Sequence, residues 1–181
     1  MLNALFNLFR PNARRIAVAT LYKQVADAAR EPTLYGRLGV PDTLEGRFEA
    51  LALHMILVLR GLRAKPQPAD DLARELSEAF FRDLDASLRE MGVGDTKVPK
   101  RMKTLASAFY GRASAYDPVL DRADEAELAA TLGRNALGSD APATALARYA
   151  LAADRALKAA PLDMVLRQGP PFPSPETVLA A

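Results

Sequence analysis

Apolar residues in this 181-residue chain recur at intervals of three and four, and the every-second-residue alternation of a half-buried strand is almost absent. With Ala, Leu, Arg and Glu abundant, all of them good helix formers, the pattern predicts an all-α fold. Half of the residues are hydrophobic, enough at this length for one cooperative domain with a real core, while two full domains would be a squeeze. The expectation is a single-domain bundle of about six to seven helices, with an N-terminal amphipathic segment over 1–11, a helical domain over 12–166 and a Pro-rich coil tail over 167–181.

A first helix is predicted from about Asn12 to Arg30, stopped by Glu31-Pro32, followed by a connector over Thr33 to Val40 with at most one short helical turn. Asp42 followed by Glu45 has the form of a capping box ahead of Leu44, Phe48, Leu51, Met55, Leu59 and Leu62. Because Leu53, Ile56, Leu57 and Val58 make the middle of that helix apolar nearly all round, it should be the central, most buried one. Asp70 is the predicted cap of a third helix, which ends at Gly92. A fourth carries Pro99 in its first turn and a stripe of Val98, Met102, Leu105, Phe109 and Tyr116. The short turn between them makes the third and fourth antiparallel neighbours. Asp117-Pro118 reads as a fresh helix start, and Ala-rich helices are predicted over Asp124 to Leu137 and Asp140 to Ala160.

Composition excludes several chemistries. With no cysteine there is no thiol nucleophile, disulfide, iron-sulfur ligation or covalent c-type haem. A single histidine, His54, rules out a bis-histidine haem within one chain and leaves one possible imidazole base. Its apolar neighbours favour a core histidine over a ligand or catalyst. Glu49 lies five residues earlier, about 140° round a helix, so the two do not share the spacing of a di-iron bundle. Asp83 and Asp85 point to nearly opposite sides of a helix, and Asp85 is placed to pair with Arg89. Gly92 and Gly94 lack the third glycine and preceding strand of a dinucleotide loop. No metal and no cofactor is expected. Leu51 to Leu59, the longest strongly apolar stretch, is far short of the roughly 20 residues of a membrane span. Leu2, Leu5, Phe6 and Phe9 have helical spacing but no basic region before them and no cleavage site, so no signal peptide is expected.

The formal charge of +2 is too small for a dominant nucleic-acid-binding surface, so any basic function must be local. Charge is uneven: +5 over 1–68, −5 over 69–95, +5 over 96–116 and −3 over 117–181. Either an acidic helix lies against a basic one and the two sets offset each other, or Lys97, Lys100, Arg101 and Lys103 face outward as a docking patch for an acidic surface such as ribosomal RNA or lipid headgroups.

Leu88-Arg89-Glu90-Met91-Gly92-Val93-Gly94-Asp95, followed by Val98-Pro99-Lys100-Arg101-Met102 and Phe109-Tyr110-Gly111-Arg112, resembles the ubiquinol-cytochrome c chaperone family. Leu34-Tyr35-Gly36, the run Gly39 to Glu49, and Phe80-Phe81-Arg82-Asp83-Leu84-Asp85 fit the same pattern in the same order, so the resemblance spans about Tyr35 to Tyr116. It implies a helical, non-enzymatic chaperone in the bacterial cytoplasm, at times peripheral at the inner membrane. Such a protein binds newly synthesised cytochrome b and assists assembly of complex III; mitochondrial relatives also work near the ribosome. A chain without cysteine and with one histidine would act on such cofactor-bearing subunits through contact alone. An apolar groove is then expected, with Tyr35, Phe48, Phe80, Phe81, Tyr110 and Tyr116 as candidate walls. The candidate polar contacts are Arg89, Lys97, Lys100, Arg101, Lys103 and Arg112. The competing reading is a small-molecule carrier or enzyme whose Glu49, His54, Asp83 and Arg89 converge in a pocket; a third is a nucleic-acid module using the basic helix. Oligomeric state stays open.

Overall fold

From Ala52 to Leu62 every residue of one helix is buried, and the bundle is arranged around it. The computed structural model describes residues 11–180, so the expected N-terminal amphipathic segment lies outside the described residues. In chain order the helices are α1 (Pro11–Ala28), α2 (Pro32–Gly36), α3 (Leu44–Arg63), α4 (Ala69–Glu90), α5 (Val98–Arg122), α6 (Glu125–Leu132), α7 (Thr144–Ala159), α8 (Leu162–Gln168) and α9 (Pro175–Ala180). A π turn over Gly133–Leu137 continues α6. No strand occurs among the described residues, as the spacing of apolar residues predicts. Five helices of 16 to 25 residues, α1, α3, α4, α5 and α7, build the body. The surplus over six to seven comes from the short segments.

The central helix packs on α1, α4, α5 and α7. Full burial of Leu53, Met55, Ile56, Leu57 and Val58 contributes about 1.5–3 kcal/mol for each side chain. Gly61 lets α7 approach closely, since a Cβ there would stand 2.9 Å from the Leu157 Cβ. Paired contacts give the helix directions. His54 meets Tyr149 and Arg60 meets Asp154, so α3 and α7 run parallel. Arg14 meets Glu75 and Tyr22 meets Asp83, so α1 and α4 do too. The α4–α5 pair is antiparallel, closed by a Schellman turn in which Val93 N–H reaches Leu88 O (3.0 Å), Gly92 N–H reaches Arg89 O (2.9 Å) and Gly92 takes φ +79°.

Several predicted boundaries shift for identifiable reasons. The cap of α3 is Thr43, extended at φ −122°, whose hydroxyl accepts from Gly46 N–H at 3.1 Å. Asp42 instead accepts from Arg47 at 2.7 Å. Asp70 lies inside the first turn of α4, where it accepts from Gln67. Pro118 starts no new helix: α5 runs through it, with Asp117 and Asp121 on either side held by one guanidinium. The last long helix begins at Thr144, because the loop before it folds back, Ala143 N–H donating to Ala129 O (2.8 Å) and Ser139 N–H to Gly133 O (3.0 Å). The tail expected as coil from 167 is irregular over 169–174, after which Pro175 opens α9 on α7 and α2.

Arg60 is the polar hinge of this packing. From α3 it donates through Nε to Asp154 on α7 (2.9 Å), through Nη1 to the Asp117 carboxylate (2.7 Å) and carbonyl (3.2 Å), and through Nη2 to Asp121 on α5 (2.6 Å). Arg63 reaches Asp117 and Lys158 reaches Asp154, so three cations face three carboxylates. Burial works against the Arg60 charge, and the three aspartates outweigh it, raising its pKa. Both Arg60 and Asp154 side chains are only 5% exposed. Truncating one partner of such a buried set leaves the others uncompensated, so Arg60→Met should lower unfolding free energy by about 3–5 kcal/mol in urea titration. An unchanged midpoint would show that the network is dispensable.

Candidate interaction surface

Where α3, α4 and α5 meet, the surface opens into an apolar cleft of about 210 Å³. Ile56 and Leu59 form its floor, Ala73 and Ser77 one wall, Phe109 and Ala113 the other, with Arg63, Arg74 and Tyr110 at the rim. Three of the residues that line it, Ala73, Ser77 and Ala113, are small. Beside it, Phe80, Phe81, Phe109 and Tyr110 form a continuous aromatic cluster with ring centroids 4.9–6.0 Å apart. Tyr110, 61% exposed, is its open edge, and Phe81 is half-buried.

The other candidate walls do not line the cleft. Phe80 and Tyr116 are sealed in the core, Phe48 packs half-buried against it, and Tyr35 donates its hydroxyl to Ala29 O at 2.6 Å. Arg112 holds Glu49 in a two-pronged pair at 2.8 and 3.1 Å, which ties α5 to α3. Arg89 grips Asp85 (2.7 Å) and Asp95, closing the α4–α5 turn. The cleft residues Ile56, Leu59, Ala73, Ser77 and Ala113 were not among the candidates; no single-helix pattern marks a cleft made by small residues on two helices.

Lys97, Lys100, Arg101 and Lys103 are all exposed in the first turns of α5, and none of the four forms an ion pair among the described residues. The offsetting of an acidic α4 by a basic α5 therefore does not occur. Asp71 and Glu75 pair with Arg14, Glu78 with Arg74, and Asp85 with Arg89, while Asp83 accepts from Tyr22. Burial, with the Asp83 bond second, pushes the Tyr22 phenol up.

The four groups of the pocket reading do not converge: Glu49 turns to α5, Asp83 to α1, Arg89 to the α4–α5 turn and His54 to α7. His54 is fully buried, Nδ1 lying 2.7 Å from Ala50 O and Nε2 2.7 Å from the Tyr149 hydroxyl. A carbonyl only accepts, so Nδ1 carries the proton, and Nε2 accepts from Tyr149. The Phe172 ring packs edge-on at 4.9 Å. Among the described residues, no three ligand-type side chains gather as a metal site, and no helix is long and apolar enough to cross a membrane.

A sequence profile described as ubiquinol-cytochrome C chaperone matches residues 36–172. The chain is 26% identical over 134 residues to a Drosophila melanogaster protein named ubiquinol-cytochrome c reductase complex assembly factor 1. That match covers 70% of this chain and 51% of the relative, so the chain spans about half the length of the relative. Among solved structures, the crystal structure of the Cbp3 homolog from Brucella abortus superimposes with a TM-score of 0.82 at 36% identity, covering 94% of this chain and 97% of that one.

Burial drives the His54 pKa down to about 4, from 6.5 for a free imidazole. The unfolded chain therefore takes up the proton first. The contribution of His54 to stability is complete above pH 6.5 and is lost as pH falls toward 4, by about 3 kcal/mol. As the chain has one histidine, unfolding titrations of His54→Gln should lack this loss across that window. A slope equal to that of the parent would refute the assignment.

Proposed function

The chain belongs to the ubiquinol-cytochrome c chaperone family, and on that premise we propose that it assists assembly of ubiquinol-cytochrome c reductase by holding newly made cytochrome b until its partner subunits join. The place of action is the bacterial cytoplasm, where the client emerges. The observation that carries the reading is the open apolar cleft between α3, α4 and α5 with the aromatic cluster beside it. An amphipathic or membrane-destined helix laid against this surface would seat one large side chain in the cleft and rest others on Tyr110 and Phe81. Helix-in-groove anchoring of this kind concentrates binding energy in few contacts.

A grip of that size suits a holding role. A cleft of about 210 Å³ takes a side chain and not a whole helix, so the client stays exchangeable. The rim guanidiniums are occupied within the chain, Arg63 by Asp117 and Arg74 by Glu78, which leaves the floor to select for apolar character. The absence of convergence among Glu49, His54, Asp83 and Arg89 removes the support for the pocket reading and favours an action through contact.

Photo-crosslinking in cells separates these ideas. A crosslinker replacing Tyr110 should capture cytochrome b, and one replacing Ile16, 67% exposed on α1, should not. Tyr110→Ala, which leaves the core untouched, should reduce capture by a partner-helix contact by about tenfold. Equal capture from both positions, or normal complex assembly in a strain lacking the protein, would overturn the proposal.

A further inference from the structure

The sequence of residues 1–10, ahead of α1, calls for a surface to lie on. Leu2, Leu5, Phe6 and Phe9 stand at the spacing i, i+3, i+4 and i+7, which is one stripe of a helix. A helix of about ten residues does not hold in water by itself, so four large apolar side chains in that pattern fold only against something apolar. The other positions narrow what that is. Asn3, Ala4, Asn7 and Leu8 carry no charge, and Arg10 is the first charged side chain. A helix suited to a lipid surface carries lysines and arginines along its polar face. Their absence here points to a protein surface instead.

The cleft between α3, α4 and α5 is such a surface, and the root of the segment stands beside it. Helix α1 begins at Pro11, and Arg14, about one turn on, meets Glu75 at 2.8 Å and Asp71 at 3.7 Å. Arg74, at the rim of the cleft, approaches the same two carboxylates, Glu75 at 3.7 Å and Asp71 at 3.9 Å. One pair of acids thus joins the start of α1 to the edge of the cleft. Ten residues span about 15 Å as a helix and at most about 35 Å extended, enough to cross α4 and bring Phe6 over the floor of Ile56 and Leu59. An uncharged occupant suits the cleft, because Arg63 and Arg74 at its rim are already held by Asp117 and Glu78.

We propose that residues 1–10 dock in this cleft as an intramolecular occupant, with Phe6 seated on its apolar floor. Proline at the start of a helix favours extended backbone in the residue before it, so the segment joins α1 through a bend and is turned off the helix axis. A tether this short holds it at an effective concentration of about a millimolar, which a second copy or any other surface must exceed to capture it. The regulatory consequence rests on the proposed function: if the cleft is the client site, the segment is a placeholder that covers the apolar floor until a tighter-binding client helix displaces it.

The chain has no cysteine, so Ser77→Cys places a single thiol on the cleft wall. In the full chain that thiol should react slowly with a bulky maleimide. Adding F6D/F9D should speed the reaction about tenfold, the change expected when an occupant present about nine-tenths of the time is removed. A synthetic peptide of residues 1–10, supplied at about a millimolar, should restore protection to the F6D/F9D chain, which also shows that its cleft is intact. Equal rates with and without F6D/F9D would refute the docking. So would protection that grows with protein concentration, the mark of a second copy's segment, or that vanishes on adding phosphatidylcholine–phosphatidylglycerol vesicles, the mark of a lipid surface. Capture of cytochrome b by a crosslinker at Tyr110 should rise in the F6D/F9D chain by up to about tenfold. Level capture, together with protection lost in F6D/F9D and restored by the peptide, would leave the segment in the cleft and take the client out of it, so the two readings fail separately.

Discussion

Arg60 is a charge that the core must contain, and the position of three helices follows from how it is satisfied. A guanidinium has five donors in a fixed plane, so carboxylates must come to it from set directions. They come from α5 on one side and α7 on the other, with α3 between. This anchors α5 at Asp117 and Asp121, and Arg112 adds a second tie to α3 through Glu49. All of these ties lie in the C-terminal half of α5. The N-terminal half has Val98 as its one fully buried residue before Phe109, and rests on α4. One helix is thus fixed at one end and broadly exposed at the other, and the exposed end carries the lysines and leads into the cleft.

The contact between α3 and α7 shows how a mostly apolar interface gains a defined register. Aliphatic side chains tolerate sliding, and a hydrogen bond between buried groups does not, because an unpaired donor or acceptor costs its desolvation. Two such bonds, His54 to Tyr149 and Arg60 to Asp154, lie about one and a half turns apart on each helix. Together they allow one rotation and one translation. Gly61 then brings the backbones close at the end of the contact, and Phe172 from the C-terminal segment covers the imidazole. Keeping His54 neutral follows from this enclosure, since no carboxylate stands beside it to favour the charged form.

Much of this was legible in the sequence, and the parts that were not share a cause. The all-round apolar run from Leu53 to Val58 marks the central helix because no other location can bury it, and Gly92 marks the α4–α5 turn because a left-handed residue is needed there. Family blocks between Tyr35 and Tyr116 pointed to the family that the profile identifies. What a local pattern cannot carry is the partner of each side chain. Asp42 and Thr43 are both good caps, and Asp42 is drawn off by Arg47. Pro118 is a helix breaker by itself, and it is spanned because Arg60, more than fifty positions earlier, holds both neighbouring turns. The acids of α4 look matched to the bases of α5, yet Arg14 of α1 reaches them first. The cleft has the same origin: Ala73 and Ala113 are unremarkable in the sequence, and the fold brings both to one cleft.

The placement of charge also bears on why the cleft can remain open. An exposed apolar surface invites self-association, and a chain near zero net charge has little general repulsion to prevent it. Here the repulsion is local. Lys103 lies two turns before Tyr110 on the same side of α5 and has no ion-pair partner among the described residues, whereas Arg63 and Arg74 at the rim are held by Asp117 and Glu78. A second copy laid cleft to cleft would bring its own Lys103 toward this edge, a like-charge approach that is costly where it is partly desolvated. An apolar helix with acidic or neutral flanks meets no such penalty. A positive charge beside the apolar surface thus favours segments with acidic or neutral flanks over segments with basic ones.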